Sequence, residues 1–190
     1  MRPDRGPSGS GDPESARVFF ALWPDAAAAA ALQRGAQECA RAFGGRASRC
    51  ETLHLTLAFV GDVPRERLSV LQEVAGAVAV PAGELCLDRL GFWSHNRIVW
   101  AGTTLVPPEL GQLVHRLGAG LKATGTAGKA GLARPFVPHV TLVRKVVGPI
   151  GPLPVWAPVR WAWRSFALVH SRLSAAGATY EILGRWPRSA

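Results

Sequence analysis

Two stretches of the chain are near-copies of each other. CETLHLTLAFVG occupies residues 50 to 61, and PFVPHVTLVRK occupies residues 135 to 145. Each holds His, an apolar residue, Thr and Leu in that order: His54-Leu55-Thr56-Leu57 and His139-Val140-Thr141-Leu142. Side chains alternate across a β-strand, so His and Thr two positions apart share a face. Leu55, Leu57 and Phe59 then take the other face of the first copy, and Val140 and Leu142 that of the second. Pro138 disfavours a helical Val137, so the backbone enters His139 extended. Each copy therefore reads as a strand with one face in a core and an imidazole and a hydroxyl on the other. Such a polar pair needs a partner or water. The copies lie 85 residues apart in a chain of 190, one in each half. Two related lobes packed about a pseudo-twofold axis would set the strands against each other across a cleft.

The rest of the chain supports a mixed fold. Arg17–Leu22 is a short apolar run and reads as a buried strand. Asp25 caps a helix over Ala26 to Phe43, which Gly44-Gly45 ends. A strand over Leu53 to Val60 follows, and Gly61 to Pro64 opens a second helix with Leu68, Leu71, Val74, Ala75 and Val78 at helical spacing. Glu84 to Leu90 and Arg97 to Ala101 read as strands around a Ser94-His95-Asn96 turn. Pro107-Pro108 opens a third helix with Leu110, Leu113, Val114, Leu117 and Leu121 on one face. Residues 124 to 134 form a loop, 139 to 144 a strand and 148 to 158 a proline-rich connection. Ser165 to Leu173 and Ala178 to Leu183 close the chain as a hairpin around Gly177. The predicted class is α+β, bilobed, with two antiparallel sheets lining a central cleft and helices outside. Residues 1–15 are Pro, Gly, Ser and charge and read as a flexible tail. Residues 16–190 form a single bilobed domain.

If the two strands face each other, two imidazoles and two hydroxyls converge on one volume. A free imidazole titrates near pH ~6.5, so one His can take a proton while the other gives one. Thr hydroxyls can donate to the oxygens of a bound anion. Displacement at phosphorus by water uses all four groups. With 22 Lys and Arg against 13 Asp and Glu, the net charge of +9 favours polyanionic partners, or is simply a solubility charge.

On these residues the chain resembles the two-histidine (2H) phosphoesterase superfamily, and within it the RNA 2′,3′-cyclic phosphodiesterases, historically called 2′-5′ RNA ligases. RVFFAL with Pro24, LHLTLAFVGDV, GFW with RIVWAG, RPFVPHVTLVRK, SFALVHSRL and TYEILGRW follow the family's order across residues 17 to 187. The resemblance implies a catalytic pair, His54 and His139, with Thr56 and Thr141 holding the scissile phosphate. It implies metal-independent opening of an RNA-terminal 2′,3′-cyclic phosphate to a 2′-phosphate without a cofactor, and the reverse 2′-5′ ligation as a side activity. His139 is assigned as base for the water and His54 as acid for the leaving 3′-oxygen, although the pseudo-symmetry permits the reverse. Rival readings are a 2H phosphodiesterase acting on ADP-ribose cyclic phosphate, 2′-5′ oligoadenylate or cyclic nucleotides, and a non-catalytic module that binds RNA ends.

Arg144 and Arg134 flank the second motif and are candidate phosphate-binding residues, but Arg144 has the opposite strand parity to His139. It reaches the same face only if the strand bends or ends there. Phe20 and Phe136 are candidates for base stacking, with core packing the stronger reading. His95 and His115 read as surface residues and His170 as structural. No His-x-His, His-x-x-x-His or Cys-x-x-Cys pair suggests a metal site. The odd, scattered cysteines Cys39, Cys50 and Cys86 point to a reduced, cytoplasmic setting. No apolar run suggests a signal sequence or a membrane span. Because one chain already supplies both lobes, a monomer is expected.

Overall fold

The computed structural model describes residues 14–126, 136–148, 151–174 and 177–187. Strand β1 (Ser15–Leu22) leads into helix α1 (Ala26–Phe43). The short β2 (Arg46–Ala47) and a 3-10 turn (Cys50–Thr52) precede β3 (Leu55–Pro64). Helix α2 (Leu68–Ala77) is followed by β4 (Gly83–Leu87), β5 (Arg89–Trp93) and β6 (Ile98–Gly102). Then come α3 (Pro108–Ala123), β7 (His139–Arg144), β8 (Val159–Trp163), β9 (Phe166–Ser174) and β10 (Gly177–Trp186). Of the predicted tail, Ser15 already belongs to β1, and residues 1–13 lie outside the described residues.

The main sheet is antiparallel in the order β10-β9-β1-β3-β7-β6-β5, with β2 on β7. Its symmetry is legible in the connections. β1 feeds α1 and the chain returns to β3 beside β1; β6 feeds α3 and the chain returns to β7 beside β6. The helices exchange sides: α1 packs against β7 and α3 against β3. The second sheet is the ribbon β4-β8.

The helices form as their residues dictate. Asp25 accepts the Ala28 N–H at 2.8 Å and caps α1, and Gly44 ends it with φ of +68°. Leu32, Ala36, Cys39 and Phe43 of α1, Leu71, Val74 and Ala75 of α2, and Leu110, Leu113, Leu117 and Leu121 of α3 are buried. They cover the side of the sheet from which Leu55, Leu57, Val140 and Leu142 project. Trp161, Trp163 and Trp186 fill this core, and Trp156 packs at its edge with its N–H donating to the Leu87 carbonyl at 2.8 Å.

Several elements differ from the sequence reading. β3 does not stop at Val60, and Gly61 to Pro64 are strand, not the start of a helix. They stay paired with β1 (Val18 with Gly61, Ser15 with Pro64), and Gly61 absorbs a bulge at φ of +91°. The segment read as one strand over Glu84 to Leu90 is two, broken at Asp88, whose carboxylate accepts the N–H and hydroxyl of Thr104. β8 was not anticipated, although VRWAW alternates: Val159, Trp161 and Trp163 are buried and Arg160 and Ala162 exposed.

Candidate active site

His54 stands one residue ahead of β3, and His139 is the first residue of β7. Leu55, Leu57, Val140 and Leu142 are buried beneath, while His54, Thr56, His139 and Thr141 are half-buried on the opposite face. The two strands join at the register pair Leu55–Val140. Continuing that antiparallel register sets His54 across from Thr141 and His139 across from Thr56. The Leu55–Val140 pair lies between the His and Thr of each motif and so brings the two motifs together, and the charge of His139 acts on His54.

The backbone holds both imidazoles in the same way. His54 Nδ1 lies 2.7 Å from the Thr52 carbonyl oxygen, and His139 Nδ1 lies 2.8 Å from that of Val137. A carbonyl only accepts, so in each ring Nδ1 carries the proton and Nε2 presents its lone pair. Both contacts reach two residues back, because the buried Leu53 and Pro138 anchor the turn before each histidine.

The surroundings of the two rings differ. Trp23 stacks on His54 with centroids 5.1 Å apart and planes at 18°. Phe19 lies at 4.9 Å and Tyr180 meets the ring edge-on at 5.1 Å. His139 has Trp93 edge-on at 4.5 Å, with Trp100 further off at 6.5 Å. Burial is the main cause that lowers the pKa of both: His54 is pushed down to about 4, and His139 is lowered also. The carbonyl bonds oppose this, and the positive charge of Arg144 adds to it at each ring.

Arg144 acts on both histidines because of a bulge. β7 pairs Val143 with Val99 and Thr141 with Trp100, so one extra residue is accommodated there. Leu142 and Val143 are both buried, and the alternation resumes with Arg144 on the side of His139 and Thr141. β7 also ends at this residue. Strict strand parity had placed it on the far face.

A cleft of about 550 Å³ opens on this side. It takes in His54, Thr56 and Arg144, but His139 and Thr141 do not line it and stand on the adjacent strand. Arg17, Arg46, Arg49 and Lys145 line it also, and no carboxylate does among the described residues. Low-dielectric walls with one sign of charge favour an anionic ligand.

The other candidates fall away from the site. Arg134 lies outside the described residues. Phe20 is fully buried against Phe166, and Phe136 packs on the same core. His95 and His115 are exposed, and the buried His170 faces Glu181 at 3.6 Å. The sequence reading missed Phe19, Trp23, Tyr180 and Trp93. Phe19 had a usable signal, since alternation in β1 puts it opposite the core residue Phe20. Tyr180 and Trp23 had none, because their approach to His54 depends on β1 lying between β3 and β9.

The profile of the 2′-5′ RNA ligase superfamily matches residues 23–172. The RNA 2′,3′-cyclic phosphodiesterase of Escherichia coli (strain K12) is 34% identical over 142 residues, which cover 75% of this chain and 79% of that protein. The protein of the same name from Thermus thermophilus is 30% identical over 90% of this chain and 89% of its own. The crystal structure of E. coli LigT complexed with 3′-AMP superposes with a TM-score of 0.81 at 31% identity, over 91% of this chain and 98% of that one. The duplicated His-x-Thr strands, their meeting at one sheet junction and these likenesses agree: the chain belongs to the 2′-5′ RNA ligase superfamily of 2H phosphoesterases.

Proposed function

We propose that the protein hydrolyses RNA-terminal 2′,3′-cyclic phosphate to a 2′-phosphate, with the two imidazoles as general base and general acid. The observation that carries this is the pair of rings with Nδ1 tied to a carbonyl and Nε2 open, set about one strand junction beside a cationic cleft. The relatives named RNA 2′,3′-cyclic phosphodiesterase and the structure holding 3′-AMP support the substrate class.

In this reading the phosphate sits between Thr56 and Thr141, whose hydroxyls donate to its oxygens, with Arg144 balancing its charge. His139 Nε2 takes a proton from water as the water oxygen bonds to phosphorus. The bond from phosphorus to O3′ breaks, and His54 Nε2–H protonates the leaving O3′. A 2′-phosphate and a free 3′-hydroxyl result; His139 then releases its proton to solvent and His54 takes one up. The negative phosphate bound beside His54 opposes the burial that lowers its pKa, so the ring carries its proton when substrate is in place. His139, held by an exposed contact and by edge-on rings only, suits the base role. With a 5′-hydroxyl in place of water, the same groups would bond O5′ to phosphorus as the bond to O3′ breaks, leaving a 2′-5′ diester and a free 3′-hydroxyl.

The test is a short RNA ending in 2′,3′-cyclic phosphate, with EDTA present. Wild type should yield the 2′-phosphate, and His54→Ala and His139→Ala should each lose about 10²-fold or more in rate. Turnover that survives loss of either imidazole would sink the mechanism. Turnover confined to an ADP-ribose cyclic phosphate or a small cyclic nucleotide would keep the site and replace the substrate.

A further inference from the structure

The cleft face of the sheet carries a small apolar cluster separate from the main core. Phe19, Ala21, Ala167 and Val169 are buried together there, and Trp23, Phe59 and Tyr180 pack onto them. Three of these rings converge on a single imidazole. Trp23 covers one plane of His54, Phe19 lies at 30° to it, and Tyr180 closes an edge at 87°. The rings also brace one another: Tyr180 meets Phe19 at 5.3 Å and Trp23 at 6.2 Å, both edge-on.

We propose that Phe19, Trp23 and Tyr180 form a cage that holds the His54 imidazole in one orientation for proton transfer, with Trp23 as its main positioning residue. This rests on the role given to His54 above. The bond from Nδ1–H to Thr52 fixes one edge of the ring, and stacking on Trp23 fixes its plane. His54 lines the cleft even with Phe19 and Tyr180 packed against it. Trp23 is itself well anchored, between the end of β1 and Pro24-Asp25, the cap of α1. Proton transfer requires a donor aligned within hydrogen-bond reach, and small misplacements are costly. Among the described residues the rings beside His139 are the edge-on Trp93 and Trp100, with none stacked on it, so the cage belongs to the first motif.

The groups around His54 separate this role from a charge effect. Arg144 and His139 face it from β7, and the Tyr180 phenol from β10. Arg17 of β1, Arg46 of β2, Arg49 and Lys145 line the same cleft, and no carboxylate does among the described residues. Trp23 is uncharged, so its removal admits water without altering these charges.

The experiment follows the imidazole nitrogens by long-range ¹H–¹⁵N NMR against pH, without substrate, in wild type, Trp23→Ala and Trp23→Phe. Wild-type His54 should remain the Nδ1–H tautomer and titrate near 4. In Trp23→Ala the midpoint should rise by about one unit toward the ordinary value as water enters. With the RNA substrate, kcat should fall roughly tenfold, less than the ~10²-fold or more lost with the acid itself, while KM stays within about twofold. Trp23→Phe should restore most of both. An unchanged midpoint and tautomer in Trp23→Ala, or a loss confined to KM, overturns the proposal. If Trp23→Ala does not fold, Trp23→Leu and Tyr180→Leu are read by the same outcomes. The titration needs no turnover, so a wild type inactive on RNA would overturn the proposed reaction and leave the cage standing.

Discussion

Leu55 of β3 pairs with Val140 of β7, and through this contact the two halves of the main sheet become one surface. Both side chains are fully buried, and each lies between the His and Thr of its own motif. The pair therefore supports four site residues from below. Leu55→Ala should cost about 2–4 kcal/mol, read as the shift in urea midpoint. The damage to activity should exceed what the unfolded fraction explains, because the strands would part beneath the histidines. If activity per folded molecule is unchanged, the junction is not what aligns the site.

The His54 pKa makes stability depend on pH. Its folded value is about 4 against an ordinary 6.5, so between these values the unfolded chain binds more protons. Stability from this group is full above pH ~6.5, falls as the pH drops toward 4 and levels off below. The loss should be on the order of 3 kcal/mol, measured by denaturant unfolding at stepped pH. His54→Asn should flatten the slope in that window; an equally steep slope would assign the effect to other groups.

Removing the charge of Arg144 should raise the pKa of both histidines, because its guanidinium lowers each. Arg144→Ala should also raise KM for RNA about tenfold or more, the worth of a charged hydrogen bond. Arg144→Lys should keep the pKa values near wild type and recover only part of KM, since a point charge lacks the planar fork. Identical KM in all three proteins would place Arg144 outside substrate binding.

Gly91 of β5 lies against Trp100: a Cβ there would meet the indole at 2.1 Å. Trp100 in turn carries Trp93 at 5.2 Å, which touches His139. Gly91→Ala should cost about 1–3 kcal/mol through overpacking and lower kcat by displacing Trp93. Unchanged stability and kcat would mean that the indole moves aside freely.

The three cysteines should separate in reactivity. Burial, with Glu38 nearby, pushes the Cys39 thiol up to about 11, whereas Cys50 is exposed. A thiol reagent at pH ~8 should modify Cys50 in the native protein and Cys39 only after unfolding, as read by peptide mass. Native labelling of Cys39 would show that α1 opens readily.

The sequence by itself determined the three helices, most of the strands, the α+β class and the facing of each motif. These depend on local rules: the alternation of Leu55 and Leu57 against His54 and Thr56, the cap at Asp25, and the leucine stripe of α3. The recurrence of one motif in each half also raised the expectation that two imidazoles and two hydroxyls would converge if the strands met. Only the tertiary structure decided the rest. The reach of Arg144 depends on a bulge between β7 and β6, and a bulge arises from pairing with a neighbour that strict alternation does not include. His54 is lowered by burial, and the rings packed against it include Trp23 and Tyr180, which lie 31 positions before and 126 after it in the chain. Burial is the sum of such long-range approaches, so no local pattern states it. Two motifs of nearly the same spelling thus acquire different surroundings: one imidazole enclosed by aromatic rings, the other against an open tryptophan corner.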